Sequence, residues 1–277
     1  MFHVKPFQVK DFLVSKELFS LRYDRGLNAW QTTPELSSEK LQDYYPKQDY
    51  LSHTDNAKNT KERLYLWVKK QNIKTKLRWV SVLHNKGKLL DYGAGNGAFV
   101  QAAQAKGWKT YAFDFSETAK RQLTKKGINQ INEVRQNDNY DVITLWHVFE
   151  HLPNPQQQLK RFYEALLPGG ILALAIPNHS SWDAKHYGLH WAAYDVPRHL
   201  WHYNKSSISA LGCRAGFRVL KIRNMFWDAF YISLLSEQYK NSQLAWPKAI
   251  VKGLYSNLVG WRKRNTSAIT IILQKPK

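Results

Sequence analysis

The chain has 277 residues, 43% of them hydrophobic, enough to bury the core of one large α/β domain with additions. Its 41 Lys and Arg outnumber 21 Asp and Glu, a net charge of +20 that favours polyanionic surroundings such as nucleic acid or acidic membrane surfaces, yet no stretch forms a basic tail. The single cysteine, Cys213, excludes an intrachain disulfide and an all-cysteine metal site, and with no signal-like apolar start and no run of about 18 apolar residues a cytoplasmic protein is expected.

Residues 1–56 are polar and rich in tyrosine, with β-like pieces FLVS and LFSLRY, and are read as an N-terminal extension or lid ahead of a main domain at 57–277. In KERLYLWVKKQNIKTKLRWVSVL, the residues Leu64, Trp67, Val68, Gln71, Leu77 and Val80 recur at near-helical intervals with lysines between, which predicts one or two amphipathic helices. Strand and helix signals then alternate. KLLDY is a strand, GAFVQAAQAKG a helix closed by Gly107, and WKTYAFDF a second strand. Ser116 caps the next helix, with Glu117 in its first turn, Lys125 and Lys126 in its last, and Gly127 beyond. YDVITLW is a strand, and Asn154 and Pro155 open a helix carrying Leu159, Phe162 and Leu166 on one face. That helix is expected to end at LPGG before the strand ILALAIP. The helix SSISALGCRAGF and the strands FRVLKIR and SAITIILQ complete a doubly wound, mostly parallel, Rossmann-like sheet. A helical insertion at about 225–265 carries Phe230, Tyr231, Leu234, Leu235, Ile250, Val251, Leu254 and Leu258. Packing on the parent domain is its plain reading, and peripheral contact with a membrane surface the competing one.

The run LLDYGAGNGAF, residues 89–99, ends the first parallel strand in G-x-G-x-G and also satisfies the dinucleotide pattern G-x-G-x-x-A through Ala98. In such sheets ligands sit beyond the carboxyl ends of the strands, where a glycine turn lets them approach the backbone. Charge separates the two cofactor types. A pyrophosphate would be repelled by Asp91 at the strand end, whereas S-adenosylmethionine brings a cationic sulfonium and an ammonium group that suit it. Asp114, 23 residues after Asp91, ends the second strand and is placed to accept hydrogen bonds from ribose hydroxyls, a role both cofactors require.

With LLDYGAGNGAF, FDFS, YDVITLWHVFEHLPNP, LLPGGILALAIPN, YDVPRHLWHYNKSSISALGCRAGF and SAITIILQ, the chain from about residue 60 to 277 resembles the class I S-adenosylmethionine-dependent methyltransferases. The resemblance is especially to the large bacterial group related to ubiquinone-biosynthesis O-methyltransferases. The resemblance implies a seven-stranded sheet with an antiparallel last strand. It implies Asp91 near the methionine moiety, the backbone of Gly93, Ala94, Gly95 and Gly97 against the cofactor, and Asp114 on the ribose. Phe115 would lie near the adenine, with Trp146 and His147 lining the methionine and methyl side. Many members of that group begin with a cysteine zinc ribbon, C-x-x-C-G before T-x-P. The comparable stretch here is Arg22-Tyr-Asp-Arg25-Gly26 followed by TTP, which supplies no soft ligand, so a degenerate ribbon without zinc is expected.

Methyl transfer from a sulfonium is an in-line displacement, for which the protein aligns the acceptor and keeps water out. An oxygen acceptor must also lose a proton, and histidine is the natural base near neutral pH. His179, His186, His190, His199 and His202 crowd the stretch after the fifth strand. The pairs His186/His190 and His199/His202 have helical spacing, but without nearby cysteine no metal is expected. In PRHLWHY, Arg198 is a candidate anion clamp and His199 a candidate base, against the alternative of a buried polar brace. His151 in FEHLPNP is a base or merely a helix-start residue, and Tyr44, Tyr45 and Tyr50 either fold over the cofactor or simply pack. The expected function is methyl transfer from S-adenosylmethionine, with oxygen the expected acceptor atom, on a small-molecule, lipid-linked or saccharide-linked acceptor. RNA methylation is the rival that the basic charge keeps open. LWHVFEHL stands where base-amino methyltransferases carry N/D-P-P-Y/F, and no cysteine stands there for cytosine C5 chemistry. A dinucleotide-dependent oxidoreductase and an inactive cofactor-binding protein complete the alternatives.

Overall fold

A computed structural model describes residues 5–46 and 60–277, so the expected Tyr50 lies outside the described residues, as do the side chains of Leu64 and Trp67. The N-terminal part contains β1 (Phe7–Lys10), β2 (Leu18–Asp24), β3 (Ala29–Thr33) and the short helix α1 (Ser38–Gln42). There follow α2 (Thr60–Leu83), β4 (Lys88–Tyr92), α3 (Ala98–Gln104), β5 (Lys109–Phe113), α4 (Glu117–Lys125) and β6 (Tyr140–Trp146). Next come α5 (Pro155–Ala165), β7 (Leu166–Pro177), α6 (Trp182–Tyr187), β8 (Trp201–His202) and α7 (Lys205–Arg214). The chain closes with β9 (Arg218–Met225), α8 (Phe226–Tyr239), α9 (Ala245–Trp261) and β10 (Ala268–Gln274).

Because strands buried on both faces read as continuous apolar runs, alternate residues of KLLDY, DVITL and ILALAI enter two different cores. Leu89, Val142, Ile171, Ala173 and Ile272 pack with α2 and α3 through Leu77, Val80, Phe99 and Ala103. Leu90, Ile143, Leu145, Leu172 and Leu174 face α5 and α7 through Leu159, Phe162, Ile208 and Leu211. The sheet order is β5-β4-β6-β7-β10-β9, parallel from β5 to β7, with β10 antiparallel to both its neighbours. It has six strands rather than the expected seven. A single parallel bridge, Ala112 to Gln130, stands where a further edge strand would lie, with Ile131 N–H donating to Ala112 O at 3.0 Å. The ladder stops there because the following chain is asparagine-rich and turns at Asn137 and Asn139, both with positive φ.

Two local expectations shift. FLVS is a turn rather than a strand: the Asp11 carboxylate accepts from the backbone N–H of Leu13, Val14 and Ser15, and pairing falls on Phe7–Lys10 instead. LPGG does not separate helix from strand, since β7 already begins at Leu166. The N-terminal sheet, order β1-β2-β3-β8, is closed by a strand from the main domain, with Trp30 opposite His202. A second core joins Val9, Phe19 and Leu21 to Tyr187, Trp191, Tyr194, Val196 and Ile232, so packing crosses the boundary expected at residue 56.

Candidate active site

The glycine loop follows β4. Gly93 and Gly97 have φ of +80° and +75°, and a Cβ on either would come within 2.5 Å of Val148 or Ile128, so both are demanded by backbone and packing together. Gly95 also has positive φ, but a Cβ there would meet nothing within 4 Å, which leaves the loop's outer surface clear for a ligand at the start of α3. Asp114, just beyond β5, ties the loop down: its Oδ2 accepts from Gly95 N–H and its Oδ1 from Ser116 N–H, both at 2.8 Å. Phe115 beside it is exposed, its edge against Tyr92 and Phe113.

Asp91 is buried on β4, between β5 and β6, and accepts a 2.7 Å hydrogen bond from Thr144 Oγ1 of β6. Burial raises its pKa to about 7, against the lowering effects of Thr144 and Lys76. Lys76 of α2 reaches over the Trp146 ring, 4.8 Å from its centroid, and burial lowers its pKa although Asp228 and Asp91 oppose the shift. Trp146 ends β6, and its Nε1 is buried without a hydrogen-bond partner among the described residues. The next residue, His147, has φ of +59° and turns its ring between two acids: Nε2 lies 3.4 Å from Asp228 Oδ2 and Nδ1 3.6 Å from Glu150 Oε1. Burial works against its protonation, but Asp228 and Glu150 outweigh it and raise its pKa to about 9.

Deeper under the mouth, His151 and His199 meet edge to face, with ring centroids 4.6 Å apart. Each Nδ1 lies 2.9 Å from a backbone carbonyl, Arg198 O for His151 and Ala193 O for His199. A carbonyl only accepts, so both Nδ1 atoms carry a proton, and Nε2 is the nitrogen of each ring left to act. Burial, then His199, lowers the His151 pKa to about 4. The carboxylate of Glu150 is buried beside them, 4.0 Å from His199 Nε2, and neither oxygen has a hydrogen-bond partner among the described residues. No metal was expected, yet Glu150, His151 and His199 each offer a ligand atom, all within 4.8 Å of one another.

Arg198 is a correction. Expected as an anion clamp, it is 1% exposed, and its guanidinium binds Asp11 at 3.0 Å, Asp195 at 2.7 Å and Tyr44 O at 2.6 Å. Its charge is consumed by two carboxylates that brace the N-terminal sheet against the main domain. The remaining histidines disperse: His186 stacks on Trp182, His190 lies by Phe12, His179 is half-buried with its backbone N–H donating to Tyr203 O, and His202 Nε2 meets Thr32 Oγ1 at 2.9 Å. Tyr45 stands near His151, while Tyr44 donates from its hydroxyl to Glu17 Oε2. Sequence reasoning missed Lys76, Glu150 and Asp228. Only Glu150 carried a local signal, its place beside His151 in FEHLPNP.

A glycine turn at a strand end, an acid under it and a second acid on the next strand define a nucleoside-binding Rossmann-like enzyme. The acids Asp91 and Asp114 flank the glycine loop, and Asp228 and Glu150 flank His147, in a chain of net charge +20, a distribution suited to a cationic cofactor. Residues 62–222 match a family model described as a methyltransferase domain, and the chain belongs to that family. The ubiquinone biosynthesis O-methyltransferase of Rickettsia canadensis is 26% identical over 161 residues, 52% of this chain and 68% of that protein. Its counterpart in Escherichia fergusonii is 26% identical over 126 residues, 40% of this chain and about half, 52%, of that protein. In fold the chain is similar to phosphoethanolamine N-methyltransferase 2 of Haemonchus contortus, solved with S-adenosylhomocysteine. That likeness has a TM-score of 0.56 and 18% identity over 98% of this chain and 71% of that one. A SAM-dependent methyltransferase of Archaeoglobus fulgidus aligns with a TM-score of 0.51 and 16% identity over 76% and 99%. The protein is an S-adenosylmethionine-dependent methyltransferase, and the open face at Gly95 and the orphaned Trp146 Nε1 fit its cofactor.

Proposed function

We propose that the enzyme methylates a hydroxyl oxygen on a small-molecule, lipid-linked or saccharide-linked acceptor, with His151 or His199 removing the proton. The observation that carries this is the His151–His199 pair beside the buried Glu150 carboxylate, each histidine with its Nδ1 on a backbone carbonyl and its Nε2 left to take a proton. The names of the ubiquinone relatives favour oxygen as the acceptor atom. The cofactor supplies an electrophilic methyl group. Asp91 would hold its cationic end, Lys76 its carboxylate and Asp114 its ribose hydroxyls, with Phe115 offering an apolar face to the base. Trp146 and His147 wall the methyl side. The acceptor hydroxyl lies against a histidine Nε2, and Glu150 steadies the imidazolium that forms.

Labelling a cell extract with methyl-labelled S-adenosylmethionine tests the acceptor class. Label in an alkali-stable ether of a small molecule or lipid is expected, and label in RNA would overturn it. His151→Gln and His199→Gln should keep cofactor affinity, and the variant lacking the base should lose about 10²–10⁴ in kcat. A divalent cation held by Glu150, His151 and His199 would compete with that role. Activity that disappears on chelation and returns with added metal would assign these histidines as ligands instead.

A further inference from the structure

Helix α9 is built inside out. Its packed face is small and polar: Ala249, Gly253, Ser256, Asn257 and Gly260 are buried. Ser256 Oγ donates to Asp183 Oδ1 at 2.7 Å and Asn257 Nδ2 to Phe226 O at 2.9 Å, while a Cβ at Gly253 would press to 2.7 Å from the Phe230 ring. The large apolar residues point the other way. Trp246, Ile250, Val251, Leu254, Leu258 and Trp261 are each between 51% and 69% exposed. At about 100° per residue they fall within one arc of roughly 140°, an apolar stripe four turns long with the buried Asn257 at its edge. A soluble helix ordinarily buries that stripe.

Residues 240–264 carry six basic side chains and no acidic one. Lys248 and Lys252 run along one side of the stripe, and Arg262, Lys263 and Arg264 close its C-terminal end. Tryptophan at each end of the stripe is the residue that settles where apolar and aqueous phases meet. No helix among the described residues is long and apolar enough to cross a membrane, so the geometry is that of a helix lying on a surface.

We propose that the outer face of α9 docks the enzyme on an anionic lipid bilayer. A second copy is the less suited occupant, because it would press together two basic faces that carry no acidic residue, on molecules of net charge +20 each. A surface of anionic headgroups over acyl chains complements both the charge and the stripe. The docking face connects to the site through α8, which packs on α9 and carries Asp228 to within 3.4 Å of His147. Docking therefore holds the cofactor mouth close to the lipid surface. The proposal does not depend on the acceptor.

The test is flotation of the full chain with vesicles of phosphatidylcholine alone and with about 30% phosphatidylglycerol, in low and high salt. At least tenfold stronger partition into the anionic vesicles is expected, weakened by salt. The double variant Leu254→Asp/Leu258→Asp should lose at least tenfold while keeping its circular dichroism and S-adenosylmethionine affinity. Equal partition into both vesicle types, or equal binding by the variant, would overturn the proposal. So would a dimer in sedimentation that the variant dissolves, because the face would then cover a second copy. S-adenosylmethionine affinity measured on the same sample tests the methyltransferase site separately, so failure of one reading is distinguishable from failure of the other.

Discussion

In the role proposed for it, Asp91 serves binding at the expense of the folded state. Its pKa, raised from 3.8 to about 7 by burial, means that the folded apoprotein holds a proton which the unfolded chain releases, so this group lowers stability as pH rises from about 4 to 7. A cationic ligand reverses the balance by favouring the ionised form. Asp91→Asn should therefore raise the melting temperature of the apoprotein at pH 8 by several degrees while weakening S-adenosylmethionine binding at least tenfold, measured by scanning calorimetry and titration calorimetry. In the wild type, cofactor affinity should fall as pH drops below about 7. His151, with its pKa near 4, stays neutral through that range, so with His151 as the base the acid limb should appear in KM for the cofactor and not in kcat, and an acid limb in kcat would exclude His151 as the base. His147 has the opposite linkage. Its folded pKa of about 9 lies above the ordinary 6.5, so its contribution is fully present below pH 6.5 and lost as pH rises through 9. His147→Gln should flatten the fall in melting temperature over that window, and an unchanged slope would show that the Asp228 and Glu150 contacts are not made in solution. Asp91, Asp114 and the glycines were legible because a local motif fixes them. Lys76 and Asp228 were not, since they reach the site from a helix before the motif and an insertion long after it, where no spacing marks one residue.

Elements with a continuous apolar run or paired caps were legible in sequence: KLLDY and YDVITLW are the strands β4 and β6, and Ser116 caps α4 through the Ala119 N–H. FLVS misled because its apolar residues share a turn organised by a single carboxylate, Asp11, whose partner Arg198 lies 187 residues away. That ion pair joins elements rather than chemistry. Asp11 is fully buried, and burial alone would raise its pKa, but Arg198 and the backbone N–H groups of Ser15 and Val14 bring it below the usual value. Arg198→Met keeps the apolar stem yet strands Asp11 and Asp195 without their cation. A loss of about 3–5 kcal/mol in denaturant unfolding is expected, with cofactor affinity of the remaining folded protein nearly unchanged. A selective loss of acceptor binding with intact stability would restore Arg198 to the substrate site.

At the scale of the whole molecule, the boundary expected at residue 56 rested on a change of composition, which reports where the pattern shifts and not where packing stops. The N-terminal sheet borrows β8 for its edge, and its core is shared with Tyr187, Trp191, Tyr194 and Ile232. The brace at Arg198 crosses the same line. Shared edge strand, shared core and shared ion pair all couple the two parts, so unfolding one exposes apolar surface and a buried charge on the other. The full chain should therefore melt in a single calorimetric transition. A fragment of residues 57–277 should lose much of its thermal stability and bind apolar dyes, because the face formed by Trp191, Tyr194 and Val196 would be uncovered. Two separate transitions, or a fragment with the parent's melting temperature and S-adenosylmethionine affinity, would show that the N-terminal sheet is an independent attachment. If the coupling holds, Tyr45, carried by the N-terminal part to the side of His151, is set by the same packing that stabilises the main domain. The wall of the site and the fold's second core are then one cooperative unit.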